Sequence, residues 1–81
     1  MEEFKNSVSA ILRSLRAEHD LTQQEVATRA GVDIMTIGRY ENNPNTIVLD
    51  VLDKILTVYG VDCYIFFNKV NAKKHFDTEI I

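Results

Sequence analysis

A chain of 81 residues with 46% hydrophobic side chains is one small domain, and a core of that size is marginal on its own. The formal net charge of −3 argues against a strongly basic nucleic-acid binder, and no apolar run is long enough to span a membrane. The single cysteine, Cys63, excludes an internal disulfide and fits a reducing, cytoplasmic setting; the charged start MEEFKNS lacks the pattern of a secretory signal.

Phe4, Val8, Ile11, Leu12 and Leu15 recur at helical spacing, which predicts a first helix over residues 4–19. Asp20 is expected to end it, because Asp tolerates the left-handed conformation better than most residues. His19, in the last turn, reads as a surface residue that offsets the helix dipole.

The stretch LTQQEVATRAGVDIMTIGRYENN, residues 21–43, reads as two short helices bent around one glycine. Thr22 and Glu25 have capping-box spacing, so the second helix starts at Thr22. Its free N–H groups and dipole make a phosphate site, and the Gln23 amide in the first turn can reach the same phosphate or a base edge. Val26 and Ala30 turn inward, and Ala27 is small where the third helix crosses. Gly31 makes the tight turn, Val32 and Ile37 close a small core, and Asp33 caps the third helix. Ile34, Met35, Thr36, Gly38 and Arg39 are left near or on its exposed face.

A fourth helix is expected to start at Asn45 or Thr46, with Val48, Val51, Leu52, Ile55 and Tyr59 on one stripe and Gly60 as its stop. The segment VDCYIFFNKV then suits a strand, being rich in β-branched and aromatic residues. Cys63, Ile65 and Phe67 would face one way, Tyr64 and Phe66 the other. Both faces are apolar and the chain offers no second strand, so the simplest partner is the same strand of a second copy. These five residues are the expected dimer contact, and Cys63 reads as a small buried hydrophobe. A fifth helix is the alternative for an apolar run of this length. Residues 71–81 read as a polar, flexible tail, and no internal repeat stands out.

The pattern of Ala27, Gly31, Val26, Val32, Ile37 and the ending Tyr40-Glu41-Asn42 resembles the helix-turn-helix of the phage repressor and Cro (XRE) family. The resemblance covers roughly residues 8–60 and implies a mostly α, lambda-repressor-like domain. It implies further that Arg16 and Glu41 form a buried ion pair tying the first helix to the third. The segment ENNPNTIVLDVLDKIL, followed by a β-like run, looks like HipB-type antitoxins. In those proteins a strand pairs across a dimer that represses its own operon and binds a HipA-type Ser/Thr kinase toxin. From Asn71 to Ile81 the similarity is weak.

The base-reading face departs from the family. Ile34 and Met35 cannot hydrogen-bond a base edge through their side chains; they can pack on thymine methyls or form a protein-binding patch. Arg39 is the one strong reader, suited to guanine. Thr22, Gln23, Thr36, Asn42, Asn43 and Asn45 complete the expected DNA contact, anchoring phosphate mostly through uncharged donors. His19 and His75 stand in no catalytic motif, and neither a Gly-rich phosphate loop nor metal-ligand spacing is present, so neither enzyme chemistry nor a cofactor is expected. The expected organisation is a DNA-binding domain over residues 1–60, a dimerising strand over 61–70 and the tail. The expected function is a homodimeric repressor bound to double-stranded operator DNA, an autorepressing antitoxin with a HipA-like kinase partner. A stand-alone repressor, or an interaction subunit that no longer binds DNA, are the alternatives.

Overall fold

The computed structural model describes the backbone of residues 2–42, 44 and 46–79, and the side chains of residues 3–42, 44 and 46–72. Five helices follow in chain order: α1 (Glu2–Glu18), α2 (Gln23–Ala30), α3 (Ile34–Asn42), α4 (Leu49–Val58) and α5 (Cys63–Glu79). α1 packs on α3 and α5, α2 on α3 and α4, and α4 on α5.

Three of the four connections repeat one local solution. α1, α2 and α4 each end on a left-handed residue: Asp20 at φ 52°, Gly31 at 72° and Gly60 at 70°. In each, the N–H of the next residue reaches five residues back, Leu21 to Arg16, Val32 to Ala27 and Val61 to Leu56. The left-handed residue donates three back, to Ala17, Thr28 and Thr57. This paired pattern satisfies carbonyls that a helix end leaves open. Leu21, Val32 and Val61 then pack against the core. The residue after each caps the next helix. Thr22 completes a capping box with Glu25, Asp33 Oδ1 accepts from Met35 N at 2.7 Å, and Asp62 Oδ1 accepts from Ile65 N at 2.8 Å. The sequence accordingly reads DLT, GVD and GVD at residues 20–22, 31–33 and 60–62, a short repeat with a structural reason.

The core joins Val8, Leu12 and Leu15 of α1 to Val26 and Ala27 of α2 and Ile37 and Tyr40 of α3. Leu52, Ile55, Leu56 and Tyr59 enter it from α4. Phe66 and Val70 complete it, with Phe66 wholly buried. These last two overturn the expected strand. Residues 63–70 are the start of α5, and Phe66 and Val70 lie four apart, one turn of a helix, with Cys63 and Phe67 beside them. Tyr64 and Ile65 point outward. Asp62 supplies the start signal, and a helix pairs its own backbone groups, so no partner strand is needed. Phe66 is therefore filled from within the chain and is not a dimer contact. The helix continues to Glu79, so residues 71–79, expected as part of a polar, flexible tail, are helical. Its side Phe67 stacks with Phe4 of α1 at 6.2 Å between ring centroids.

The start of α4 also differs from expectation. Asn45 lies outside the described residues, and Thr46 precedes the helix in irregular backbone. Pro44 is buried and the Tyr40 hydroxyl accepts from Val48 N at 2.9 Å. These two contacts hold the connection extended, and α4 opens only at Leu49. Val48, expected on the buried stripe, is half exposed.

His19 and Tyr59 meet where α1 ends beside the end of α4, their rings 5.2 Å apart. His19 Nδ1 also lies 2.9 Å from the Leu15 carbonyl, as suits a residue at a helix C-terminus. Cys63 is half-buried with Sγ 3.9 Å from Asp53 Oδ1. Burial, with Asp53 and Asp62 nearby, pushes its thiol pKa up, which makes it a poor nucleophile.

Two outcomes follow from the core. Phe66→Ala is expected to cost about 3–5 kcal/mol, since it empties a fully buried ring site shared by α1, α4 and α5; a thermal melt checks it. The Tyr59 hydroxyl is buried with no hydrogen-bond partner among the described residues, and burial raises its pKa from 10.0 to about 12. The folded state thus holds this proton more tightly than the unfolded chain. Stability from it is complete below about pH 10 and falls by roughly 2–3 kcal/mol as pH rises through the folded value. Tyr59→Phe should remove this part of the alkaline loss and be neutral or stabilising at pH 7; denaturant titrations at both pH values measure the difference.

Candidate nucleic-acid interface

α2 and α3 meet around Gly31, and both start with their capping groups on the surface. At α2, Thr22 Oγ1 accepts from Glu25 N at 3.1 Å, and Glu25 Oε1 accepts from Thr22 N at 2.9 Å. These bonds hold the Glu25 carboxyl below its usual range. At α3, Asp33 closes the first turn, taking Met35 N–H with its side chain and Thr36 N–H with its carbonyl.

What fixes α3 lies behind it. Glu41 is 2% exposed and is the anchor. Arg16 Nε donates to both its carboxylate oxygens, at 2.8 and 3.0 Å, and Arg16 Nη1 donates to the Leu21 carbonyl at 3.0 Å. The hydrogen bond to Glu41 raises the Arg16 pKa. Gln23 Nε2 donates to Glu41 Oε1 at 3.2 Å. One carboxylate thus collects α1, α2 and the α1–α2 turn on the last turn of α3. Arg13 Nη1 donates to the Glu41 carbonyl, and the buried Ser9 hydroxyl donates to the Tyr40 carbonyl at 3.0 Å. Sequence reading missed Arg13 and Ser9. The signal for Arg13 was its place three residues before Arg16, on the same side of α1.

The outer face of α3 is open. Met35 is 76% exposed and Ile34 39%. Met35, Arg39 and Asn42 stand at i, i+4 and i+7 and form one outward line. Arg39 has no carboxylate partner among the described residues; Nη2 meets Thr36 Oγ1 at 3.4 Å, at the long end of hydrogen bonding. Asn42 is exposed, and its Nδ2 donates to the Gly38 carbonyl at 2.9 Å. Gly38 is half exposed, and a Cβ there would meet only Gln23 Oε1, at 4.0 Å. The fold therefore does not require glycine at that position.

The structure brings Thr22, Gln23, Ile34, Met35, Thr36, Arg39 and Asn42 onto the α2–α3 unit. Thr36 is half-buried rather than fully outward. Gln23 is half-buried and gives one of its two amide N–H groups to Glu41. Asn43 and Asn45 lie outside the described residues.

Glu41→Gln and Arg16→Met should differ in cost. Removing the arginine strands a carboxylate that is almost fully enclosed, at about 3–5 kcal/mol. Removing the charge on Glu41 leaves a guanidinium that is 27% exposed and can recover water, at about 1–3 kcal/mol. Urea midpoints of the two variants give the ordering.

Comparison with known proteins places this geometry. A family model described as helix-turn-helix matches residues 12–66. The phage repressor RstR of the cryptic phage CTXphi from Vibrio cholerae is 40% identical over 53 residues, 65% of this chain and 48% of that protein. The antitoxin PezA of Streptococcus pneumoniae is 36% identical over 50 residues, 62% of this chain and 32% of that protein. The matched segments thus span about half and about a third of those relatives. Among solved structures, the clp gene regulator ClgR of Corynebacterium glutamicum superposes with a TM-score of 0.82 at 17% identity, covering 94% of this chain and 81% of its own. Variants of the restriction-modification controller protein C.Esp1396I give 0.76 at 23%, covering 86% and 93%. At these identities the two structures establish the fold.

Proposed function

The chain belongs to the helix-turn-helix family of DNA-binding transcription regulators, and on that premise we propose that it is a sequence-specific repressor that lays α3 in the major groove of its operator. The observation that carries this is the uncovered line Met35–Arg39–Asn42 on a helix pinned from behind by Glu41. A helix held rigidly on one side and bare on the other is what groove reading needs. The nearby cap of α2 supports a phosphate contact at Thr22, and the glycine at position 38 leaves room for close approach.

The working unit in this reading is a homodimer in the cytoplasm. Two-fold operators need two copies of α3 about one helical turn apart. Tyr64 at 77% and Ile65 at 45% exposure form an outward apolar pair on α5 and are the natural contact, by helix rather than strand. No helix among the described residues is long and apolar enough to cross a membrane. The domain unit in this reading runs from α1 to α4, with α5 as its dimerising extension.

An antitoxin role is the second reading, supported by the similarity to PezA. A HipA-like kinase as the partner rests on the likeness of residues 41–56 to HipB-type antitoxins; the β-like segment that accompanied it is the helix α5. A toxin reading frame beside the gene would favour this role over a stand-alone repressor.

Arg39→Ala is expected to lower operator affinity by about 1–3 kcal/mol per half-site and to relax discrimination at one base pair. Gln23→Ala should weaken binding evenly across sequences, since it loosens the α2–α3 junction. With few cations on the face, affinity should fall only shallowly with salt. Gel shifts of the two variants on the chain's own promoter and on single-base operator variants test this; a parent protein that binds no DNA overturns it.

A further inference from the structure

The exposed side chains of the first turn of α3 have no hydrogen-bonding capacity at two successive positions. Ile34 and Met35 are apolar and exposed. Met35 N–H and Thr36 N–H are both taken by Asp33, through Oδ1 and the carbonyl. Thr36 is half-buried with its hydroxyl against Arg39. The Ile34 and Met35 side chains have nothing with which to satisfy a donor or acceptor on a base edge, and a base edge buried against them without partners is penalised. In the major groove the one apolar group that a natural base pair presents is the C5 methyl of thymine.

We infer that Ile34 and Met35 select pyrimidine C5 methyl groups, supplied by thymine, at the operator position facing the start of α3. This rests on α3 being the recognition helix. Spacing sharpens it. Met35 and Arg39 are four residues apart, about 6 Å along the helix axis. The half-site therefore pairs a methyl-bearing pyrimidine with a nearby guanine, the methyl against Met35 and Ile34 and the guanine against Arg39. Gly38 stands one turn beyond Ile34 and adds no side chain to block the methyl.

The test uses the full chain and operators enriched from random double-stranded DNA, followed by titrations with modified bases. Replacing the thymine by deoxyuridine deletes one methyl and leaves its hydrogen-bonding groups intact. Affinity should drop about fourfold per half-site, the factor expected for one buried carbon. Placing cytosine there should weaken binding, and 5-methylcytosine should recover part of the loss. Met35→Ala and Ile34→Ala should blunt the response to the methyl while Arg39→Ala retains it. Circular dichroism spectra matching the parent's confirm that these exposed-site variants fold. Enriched sites without thymine at that position, or equal binding of thymine and deoxyuridine operators by the parent, would overturn the inference and leave the repressor reading standing. Enrichment of no sequence at all would overturn both, and would return Ile34 and Met35 to a protein-docking role.

Discussion

One buried carboxylate sets the geometry on which the interface depends. Glu41 sits in the last turn of α3, nearly sealed from solvent, and a charge there is tolerable only if donors meet it. Arg16 and Gln23 meet it from two other helices. Because those donors must converge, α1, α2 and α3 have one mutual arrangement that satisfies the carboxylate. The net contribution of such a pair to stability is modest against an apolar replacement. Its consequence lies in orientation: with the back of α3 fixed, its front is presented without help from any ligand.

Several polar side chains of the α2–α3 unit are engaged within the unit itself. Gln23 bonds to Glu41, Asp33 to its own helix start, and Asn42 to a carbonyl one turn back. Each bond rigidifies the unit and removes a donor or acceptor from the surface. Along α3 the exposed side chains are Arg39, Asn42 and the apolar Ile34 and Met35. A chain with a net charge of −3 has few cations to place against DNA, so in the proposed reading selectivity comes from shape, methyl packing and a single strong contact.

The links between helices carry a comparable economy of form. A left-handed residue, an apolar residue that drops into the core, and a capping side chain make up three of the four connections. Each ends one helix and starts the next within a few residues, so the relative angle of neighbours is fixed locally. At the remaining connection, between α3 and α4, buried Pro44 and the Tyr40 hydroxyl do this instead. That difference is tertiary, because Tyr40 lies eight residues from the N–H that it receives.

Much of this was written in the sequence. The capping box at Thr22 and Glu25, the turns at Asp20, Gly31 and Gly60, the inward Val26, Ala27 and Ile37, and the exposed Ile34, Met35 and Arg39 follow from spacing and from what each side chain permits in the backbone. The Arg16–Glu41 pair came from resemblance, since no local pattern links residues 25 positions apart. The segment after Gly60 was ambiguous for a physical reason: VDCYIFFNKV satisfies a period of two and a period near four equally well, and its composition favours a strand. Only the packed chain decides, because Phe66 and Val70 reach a site between α1 and α4 when they stand one helical turn apart, and Asp62 is placed to cap that helix. In the same way the sequence alone offered the Gln23 amide a phosphate or a base edge, whereas its bond to the buried Glu41 is visible only once three helices meet.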